Sequence, residues 1–409
     1  MELFIRENYL KKIRGFYHAS DIIKVITGVR RCGKSSLMQL IAGELRDSGV
    51  AAEQVIFLNL DRREYRKIKT ADQLDALIAS FPRRGDLMYL FIDEVQNVAG
   101  FEEVLNAWRE DGGYSIFITG SNSYLLSGEL ATKLTGRYLE LEIYPLTFDE
   151  YMQMKAFYGK PVDANLSAEL NSFILEGGFP RAVQFDSLAD KRSYTESVVT
   201  EIFEKDIRRR VKIKNKEAFE AVRHFIINNF GATMSINSLH EALLQSGMAI
   251  TRATITKYIT ALVNAKILYE CDRFDMKSKR ALSGEKKYYL SDLSFYFCDN
   301  TDNRINYGPV LENLVYFYAR SRGLSVSVGR IGRLECDFIF RNREMEYSYA
   351  QVAYTIAQSR ETEDREYRPL EQIRDNYPKY LLTTDYLLQK RSGIRHVNLM
   401  EFMRGGAEF

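Results

Sequence analysis

A glycine-rich octapeptide that directly follows an apolar segment is the feature that most constrains this chain. Residues 28–35 read GVRRCGKS and fit the pattern Gly-x-x-x-x-Gly-Lys-[Ser/Thr], and residues 22–27 before them have the composition of a buried strand. Gly28 and Gly33 allow the backbone to curl, so that successive N–H groups point at phosphate oxygens. A helix predicted to begin near Lys34 directs the positive end of its dipole at the same place. The pattern therefore predicts a nucleoside triphosphate site.

Two side chains of this loop carry distinct chemistry. Lys34 supplies a mobile cation for the β- and γ-phosphates, and Ser35 offers its hydroxyl to Mg²⁺, which in such sites needs only one or two protein oxygens. The predicted nucleotide-binding residues of the loop are Gly28, Val29, Arg30, Arg31, Cys32, Gly33, Lys34, Ser35 and Ser36.

Adjacent carboxylates end a second apolar segment. Residues 87–92 are apolar and are followed by Asp93 and Glu94. Ligands of open α/β sheets bind at the carboxyl ends of strands, so we expect Asp93 to hold the Mg²⁺ shell through water and Glu94 to polarise the water that attacks the γ-phosphate. The alternative is that both acids only cap the following helix, since acidic residues favour helix N-termini. The phosphate loop favours the catalytic interpretation.

Two further polar residues are candidates for catalysis. The strand predicted at 115–119 leads to Asn122, which is placed to hydrogen-bond the attacking water or the γ-phosphate; a turn asparagine is the alternative. Arg137, or as a second choice Lys133, precedes the apolar strand at 138–143 and is a candidate to offset transition-state charge in the arginine-finger role. A solvated surface arginine is the alternative.

Apolar strands alternate with helical patterns through the first 145 residues. This alternation implies a parallel sheet with helices on both faces. The strands are predicted near 22–27, 54–60, 87–93, 115–119 and 137–144, and the helices near 34–48, 70–81, 101–110 and 122–134.

Five motifs together resemble a family of bacterial and archaeal AAA-type ATPases whose C-terminal half is a domain of unknown function. These motifs read ITGVRRCGKSSL, LFIDEVQN, ITGSNS, TGRYLELEIYPLTFDEY and GGFPRA. The resemblance implies ATP, whereas the residues themselves carry no motif that distinguishes ATP from GTP. It also implies that Arg137 reaches the γ-phosphate of a neighbouring subunit, and such heterologous contacts produce a ring or a filament.

The same resemblance assigns a role to residues of a helical lid. In related ATPases a Gly-x-Pro segment lies against the base and ribose of the nucleotide, and here the matching residues are Gly178, Phe179 and Pro180. Arg181 is then placed to reach phosphate. The alternative is a glycine that ends one helix and a proline that begins the next.

Composition limits the class of protein. A chain of 409 residues with 45% hydrophobic residues suggests about three domains of ordinary size. The net charge of +2 is close to neutral, so a nucleic-acid footprint must come from local patches. The four cysteines show no C-x-x-C spacing, which is typical of reduced thiols in a cytoplasm.

No apolar stretch approaches the roughly 18 residues of a membrane span, and the N-terminus lacks a signal-peptide core. We therefore expect a cytoplasmic protein without a membrane partner.

A basic segment precedes a predicted winged helix-turn-helix. Residues 205–216 hold seven basic residues against one acidic residue, which indicates a boundary, although a solvated linker has the same composition. Three helical patterns at 219–230, 235–244 and 251–267 are followed by a predicted hairpin formed by 268–274 and 286–291.

This predicted domain presents basic side chains to a duplex. The third helix would present Thr251, Thr254 and Thr256 beside its basic residues, and Lys286 and Lys287 of the wing would meet phosphates together with the basic loop between the two strands. The alternative is that the domain binds protein, because winged helices also serve as spacers between protein partners. The main candidates for DNA contact are Arg252, Lys257, Lys277, Lys279 and Arg280.

The last hundred residues resemble the PD-(D/E)xK nuclease fold. A helix with Glu312, a strand with Asp337 and a following strand match the order in which that fold gathers Mg²⁺ and orients water. The Glu-x-Lys position, however, contains Gln351 and Ala353. No cation is therefore predicted to stabilise the attacking hydroxide or the developing phosphorane charge. We expect a degenerate nuclease site that does not cut DNA.

The combined prediction is an α/β protein with a P-loop NTPase parallel sheet and a helical lid, then a winged helix-turn-helix and a small α/β restriction-nuclease-like domain. The predicted function is an Mg²⁺-dependent ATPase that couples its nucleotide state to DNA binding or remodelling. The alternative is a nucleotide-gated regulatory switch whose C-terminal domains bind protein partners. The expected partners are ATP and ADP, double-stranded DNA and further copies of the chain. The predicted domains are an ATPase core at 1–145, a lid at 146–205, a winged helix at 206–300 and a nuclease-like domain at 301–409.

Overall fold

The chain divides into two compact units in a computed structural model. The structure describes residues 2–120, 136–208, 211–278, 280–300 and 304–406. The first unit comprises Met1–Tyr144 with Asn264–Lys266, and the second comprises Pro145–Val263 with Ile267–Phe409. The first unit thus ends beside the predicted limit of the ATPase core, while the second contains the segments predicted as lid, winged helix and nuclease-like domain. The finer division of the second unit stays a prediction.

A five-stranded parallel sheet forms the centre of the first unit, in the order β2-β3-β4-β1-β5. The prediction of a parallel α/β sheet is confirmed. Its three inner strands are buried along their whole length, which explains why they read as continuous apolar runs. The strands are β1 (Ile23–Thr27), β2 (Val55–Asn59), β3 (Met88–Asp93), β4 (Tyr114–Thr119) and β5 (Tyr138–Glu142).

Amphipathic helices pack on this sheet and bury their apolar residues against it. Leu74, Ile78 and Leu105 join the strand residues in one core cluster. The helix predicted at 122–134 lies outside the described residues. The helices are α1 (Glu7–Ile13), α2 (Lys34–Asp47), α3 (Ala71–Ala79) and α4 (Phe101–Asp111), and short 3₁₀ turns occur at Arg14–Phe16, Ala52–Gln54 and Val95–Asn97.

A lysine lies within β1, one of the three inner strands of this sheet. Lys24 is fully buried in β1, yet its ammonium donates to Ala19 O (2.6 Å), Ile22 O (3.0 Å) and Ser115 Oγ (2.7 Å). It also lies 4.5 Å from the centre of the Phe117 ring. Burial lowers the pKa of Lys24 to about 7. The hydrogen bonds offset the cost of burying the ammonium, so a charged residue is compatible with a central strand.

A nine-stranded mixed sheet dominates the second unit, in the order β13-β14-β12-β11-β10-β9-β7-β8-β6. The hairpin predicted near residues 268–291 is formed by β7 and β8, and β7 continues the sheet by pairing in parallel with β9. Strands β7 and β9 therefore belong to one sheet, although the sequence predicts a domain boundary between them at residue 300. In a separate hairpin, the edge of β7 that pairs with β9 would remain unpaired. The strands are β6 (Thr233–Ser235), β7 (Leu268–Asp275), β8 (Arg280–Leu290), β9 (Ser325–Ile331), β10 (Leu334–Arg341), β11 (Tyr347–Val352), β12 (Lys379–Thr383), β13 (Lys390–Arg391) and β14 (Ile394–Asn398).

Helices fill the segment before this sheet and cover it. Asn215 and Ser235 cap two of them by accepting backbone N–H groups of the first turn. In the described part of the chain, no helix combines the length and apolar character that a membrane crossing needs. The helices are α5 (Phe148–Phe157), α6 (Leu166–Glu176), α7 (Leu188–Glu201), α8 (Lys216–Asn228), α9 (Ile236–Gln245), α10 (Arg252–Asn264), α11 (Ser294–Asp299), α12 (Tyr307–Arg322), α13 (Arg360–Glu371) and α14 (Leu399–Glu401), with a 3₁₀ turn at Ala182–Gln184 and π-helical turns at Ile202–Arg208 and Phe402–Gly406.

Candidate functional site

The phosphate loop connects the end of β1 to the start of α2. Gly28 has a φ of 146°, Arg31 of 68° and Gly33 of 109°, so the loop uses the left-handed region three times. A Cβ atom on Gly28 would lie 2.2 Å from the carbonyl oxygen of Ile143. No side chain fits there, and the glycine is required by this close approach as well as by its backbone angle.

Lys34 lies at the first position of α2 and is buried. Its ammonium donates to Gly28 O (3.0 Å) and Val29 O (3.1 Å), so it lies within the curl of the loop. Gly33 is the N-cap residue of α2, which places the positive end of the helix dipole at the same point. Cation, dipole and backbone N–H groups therefore converge as an anion site requires.

A buried arginine near the N-terminus donates a hydrogen bond to the backbone of the phosphate loop. Arg6 donates through Nη1 to Cys32 O (3.1 Å) and to Tyr144 O (2.8 Å), and its guanidinium lies 4.5 Å from the ring centre of Tyr9. Sequence reasoning missed Arg6 because Cys32 and Tyr144 lie 26 and 138 positions away from it along the chain. Burial also raises the pKa of the Cys32 thiol, and Cys32 is one of four cysteines that are all free.

Asp93 is buried at the carboxyl end of β3 and is held from both neighbouring strands. Thr119 on β4 donates its hydroxyl to Asp93 Oδ1 (2.5 Å), and Asn59 on β2 donates its amide to Oδ2 (2.9 Å). Sequence reasoning missed both partners. The available signal was a polar residue at the last position of each flanking strand.

Glu94, the residue that follows Asp93, adopts an unusual backbone conformation. Its φ of 58° lies in the left-handed region, and its N–H donates to Thr119 Oγ1 (3.0 Å). Strain of this kind in a non-glycine residue is concentrated at functional sites. Glu94 precedes the 3₁₀ turn Val95–Asn97 but makes no capping hydrogen bond with its side chain, so the contacts do not support the capping alternative. The side chain instead accepts a hydrogen bond from Gln96 Nε2 (2.5 Å).

Burial and nearby cations have opposite effects on the pKa of Glu94. Burial raises the pKa of the Glu94 carboxyl above its ordinary value, while the nearby charges of Lys34 and Arg30 lower it. A carboxylate shifted upward is a stronger base than an exposed one, and the two cations still favour its ionised form.

Arg137 lies at the amino end of β5, at the sheet edge opposite the phosphate loop. The strands are parallel, and Ile23 at the start of β1 donates its N–H to Arg137 O (3.0 Å). The guanidinium is about half exposed and pairs with Glu110 Oε1 at 2.9 Å. Because β1 spans about 3.3 Å per residue between the two edges, a role for Arg137 at its own phosphate loop is disfavoured. The other candidate, Asn122, lies outside the described residues.

Contacts within the second unit explain why a glycine occurs in the GGFP segment at residues 177–180. Gly178 N donates to Asp292 Oδ2 (2.6 Å), and Gly178 O accepts from Leu146 N (2.7 Å). A Cβ atom on Gly178 would lie 2.6 Å from Leu146 O. The close approach of the Leu146 backbone therefore requires glycine at this position, and sequence reasoning missed Asp292, which accepts the Gly178 N–H. The predicted contact of Pro180 and Arg181 with nucleotide stays a prediction.

The candidate DNA-binding residues differ in accessibility. The side chains of Arg252, Lys257, Lys277 and Arg280 are exposed, whereas Lys279 lies outside the described residues. The prediction that Lys287 meets phosphates as part of a wing is wrong, because this lysine is only 4% exposed.

The predicted nuclease-like residues lie in the second unit, where α12, β10 and β11 position them. Asp337 N donates to Gln351 Oε1 (3.3 Å), and Val352 N donates to Asp337 Oδ2 (2.8 Å). Glu312 receives a cation that the sequence reasoning did not foresee, since Lys287 Nζ lies 2.9 Å from Glu312 Oε2. This lysine on β8 is a cation beside the predicted site, and the inference from Ala353 that no cation serves nuclease chemistry there stays a prediction.

The parallel sheet, the phosphate loop and the carboxylates at the end of β3 define an AAA-type P-loop ATPase fold. A family model described as an AAA domain matches residues 20–152, and one described as a domain of unknown function, DUF8612, matches residues 167–298. A solved Walker-type ATPase of Pyrococcus abyssi has a similar fold, with a TM-score of 0.53 at 14% identity over 73% of this chain and 96% of the other.

Two relatives extend the similarity beyond the ATPase core. An uncharacterised protein of Haemophilus influenzae is 35% identical over 402 residues, which is 97% of this chain and 98% of the relative. An uncharacterised protein of Methanocaldococcus jannaschii is 33% identical over 308 residues, 74% of this chain and 67% of the relative. The chain therefore belongs to the AAA-type ATPase family that these proteins share.

We expect Thr119→Val to disrupt the site. The substitution keeps the shape of the side chain but removes the donor to Asp93 and the acceptor of Glu94 N, and a buried polar group left without a partner costs about 1–3 kcal/mol. The single tryptophan, Trp108, lies in α4, so its fluorescence follows chemical unfolding of the first unit. ATP hydrolysis should fall as well. Thr119→Ser retains the hydroxyl and is the control. A valine variant that matches the parent in both measurements would contradict this role.

Proposed function

We propose that this protein is an Mg²⁺-dependent ATPase that couples its nucleotide state to DNA binding or remodelling through its second unit. The observation that carries the ATPase part is the arrangement of Lys34, Asp93 and Glu94. These residues belong to one edge of a parallel sheet, and each has defined partners within the first unit. Such an edge is where ligands of open α/β sheets bind.

The residues present fit a magnesium ion. Asp93 accepts one neutral donor on each oxygen and retains lone pairs that can accept hydrogen bonds from metal-bound water. Ser35 follows Lys34 in the first turn of α2, and its hydroxyl would be a second protein ligand. When bound with nucleotide, Mg²⁺ neutralises charge on the β- and γ-phosphates.

The chain's own residues perform the remaining steps. Lys34 and the loop N–H groups bind the phosphate oxygens and hold the γ-phosphorus in position for in-line attack. Glu94 Oε accepts the proton of the attacking water as the new P–O bond forms and the bond to the ADP oxygen breaks. The bond between Glu94 N and Thr119 Oγ1 fixes the backbone that carries this carboxylate.

Two substitutions should separate binding from turnover. Lys34→Ala is expected to lose ATP binding, because the cation of the phosphate cradle is gone. Glu94→Gln should retain binding and lose about 10²- to 10⁴-fold in turnover, the usual contribution of a positioned base. Equilibrium dialysis with ATP and GTP and a phosphate-release assay measure both properties. Hydrolysis by Glu94→Gln at the parental rate would refute the assignment of the base.

The order of elements supports the DNA part of the proposal. Helix α8, strand β6, helices α9 and α10 and then the β7–β8 hairpin follow one another, and β6 pairs with β8. This order is compatible with a winged helix at 206–300. Exposed basic residues stand at the start of α10 and beside the hairpin turn, where a duplex would meet them. The alternative, a switch that binds protein partners, uses the same surface without phosphate contacts.

Charge reversal tests the DNA proposal. The double variant Lys277→Glu, Arg280→Glu should bind duplex DNA several-fold more weakly, and the slope of log K against log salt should become shallower by about 0.9 for each phosphate that is no longer neutralised. Arg343→Glu, Lys390→Glu is the matched control, since both residues are exposed elsewhere in the second unit. Fluorescence anisotropy at several salt concentrations gives both quantities. Unchanged affinity in the first variant would favour the protein-binding alternative.

An intermolecular role fits the position of Arg137. The side chain is exposed and lies at the edge away from its own phosphate loop, so a second subunit could receive it at its γ-phosphate. We therefore propose a homo-oligomer, closed as a ring or extended as a filament.

Mixing inactive variants tests this arrangement. Arg137→Ala alone and Glu94→Gln alone should each be nearly inactive, because a finger supplied in trans contributes about 10³ to 10⁵ in turnover. Mixtures should regain activity wherever an intact arginine meets an intact site. Hydrolysis per subunit should also rise with protein concentration. Full activity of a strict monomer would exclude the proposal that Arg137 acts at the γ-phosphate of a neighbouring subunit.

A further inference from the structure

A buried ionic cluster occupies the second unit and contains the predicted nuclease-like residues. Its side chains come from a hairpin strand, two helices and two strands of the C-terminal half, and they are mostly shielded from solvent. The members are Lys287 and Tyr289 on β8, Glu312 on α12, Glu335 and Asp337 on β10, Gln351 on β11 and Glu366 on α13.

Lys287 is the central cation of this cluster. Its ammonium lies 2.9 Å from Glu312 Oε2 and 2.9 Å from Glu335 Oε1, so it bridges a helix and a strand. Tyr289 shares the same face of β8 and donates its hydroxyl to Glu312 Oε2 at 3.0 Å. The neighbouring Lys286 points to the other face, where it pairs with Glu270 at 2.5 Å.

The remaining polar groups are satisfied by protein. Asp337 accepts from Val352 N at 2.8 Å, and Gln351 donates through Nε2 to Glu366 Oε2 at 3.2 Å. Glu366 also pairs with Arg365 Nη2 at 2.7 Å. Burial and the nearby charge of Glu312 raise the pKa of Asp337, which reduces its negative charge further.

The cluster does not fit the metal centre that a nuclease-like fold implies. Among the residues that the structure describes, no group of three or more His, Cys, Asp or Glu side chains is placed to hold a metal ion. An ammonium already occupies the space between Glu312 and Glu335 and uses oxygens that a metal would need. Hard cations such as Mg²⁺ and Ca²⁺ require such oxygens.

We propose that Lys287 is a built-in cation that takes the place of a divalent ion, and that removing its ammonium converts the cluster into a divalent-cation site. A buried carboxylate without a counter-ion is strongly destabilising. Lys287 supplies that counter-ion within the chain, so the second unit holds its carboxylates together without metal and without nuclease activity. Loss of the ammonium removes the basic partner of Glu312 and leaves Glu335 paired through its other oxygen with Arg273 Nη2, at 3.0 Å.

The test compares Lys287→Ala with the full-length parent in the absence of nucleotide. In EDTA the variant should unfold at a lower temperature, and Ca²⁺ or Mn²⁺ should restore much of the loss with a dissociation constant of about 10⁻⁴ to 10⁻³ M, the range of modest oxygen-ligand sites. Differential scanning calorimetry measures the shift, and hydrogen exchange of peptides from β8, α12 and β10 localises it. The parent should show no response of these peptides to either ion.

Lys286→Ala is the matched control. It removes the same charge from the adjacent position of β8 but lies on the other face, and its partners are Glu270 and Asp272. We expect no divalent-cation response from this variant. A response equal to that of Lys287→Ala would show that surface charge alone is responsible and would overturn the proposal.

A double variant keeps the test decisive if Lys287→Ala does not fold in EDTA. Lys287→Met, Glu312→Gln removes the ammonium together with its main partner, and it should fold in EDTA and respond to divalent cations much less than Lys287→Ala does. An equal response would overturn the proposal. So would cleavage of duplex DNA by the parent with Mg²⁺ or Mn²⁺ that disappears in Asp337→Ala, because a metal would then bind beside the ammonium.

Discussion

The paired hydrogen bonds to Asp93 are the interaction on which the candidate site depends. They connect three adjacent strands at the sheet edge where the phosphate loop lies, through Asn59 on one side and Thr119 on the other. A buried carboxylate without such donors would be protonated or displaced. Thr119 also accepts the N–H of Glu94. The same hydroxyl therefore holds both Asp93, the candidate for metal binding, and the backbone of Glu94, the candidate base.

Much of the first unit could be predicted because its signals are local. Apolar runs that end in a glycine loop or in a carboxylate pair mark the inner strands, and the observed bounds of β1, β3 and β4 lie within about a residue of the predicted ones. The supporting residues could not be predicted in this way. Arg6 contacts Tyr144 across 138 positions, and no periodicity of a single sequence encodes such a contact.

The second unit shows how a correct element can receive a wrong role. The sequence predicts the hairpin formed by β7 and β8, but it also places two adjacent lysines of this hairpin, Lys286 and Lys287, in a solvent-exposed wing. A strand directs neighbouring side chains to opposite faces, so at most one of Lys286 and Lys287 could share the face of Tyr289. The apolar context of Tyr289 was a signal that Lys287 points inward. The pairing of β7 with β9 lay beyond any local pattern, because the partners are separated by about fifty residues.

The two buried carboxylate sites differ in the charge of their donors, and this difference determines what each can bind. Asp93 is held by a hydroxyl and an amide, which are neutral, so its negative charge remains available to attract a cation. Glu312 is held by an ammonium, which cancels that charge within the protein. Hydrogen bonding satisfies the oxygens in both cases, but only neutral donors preserve the electrostatic attraction for a metal ion. Within one chain, carboxylates therefore serve as a candidate metal site in one unit and as members of an ion-paired cluster in the other.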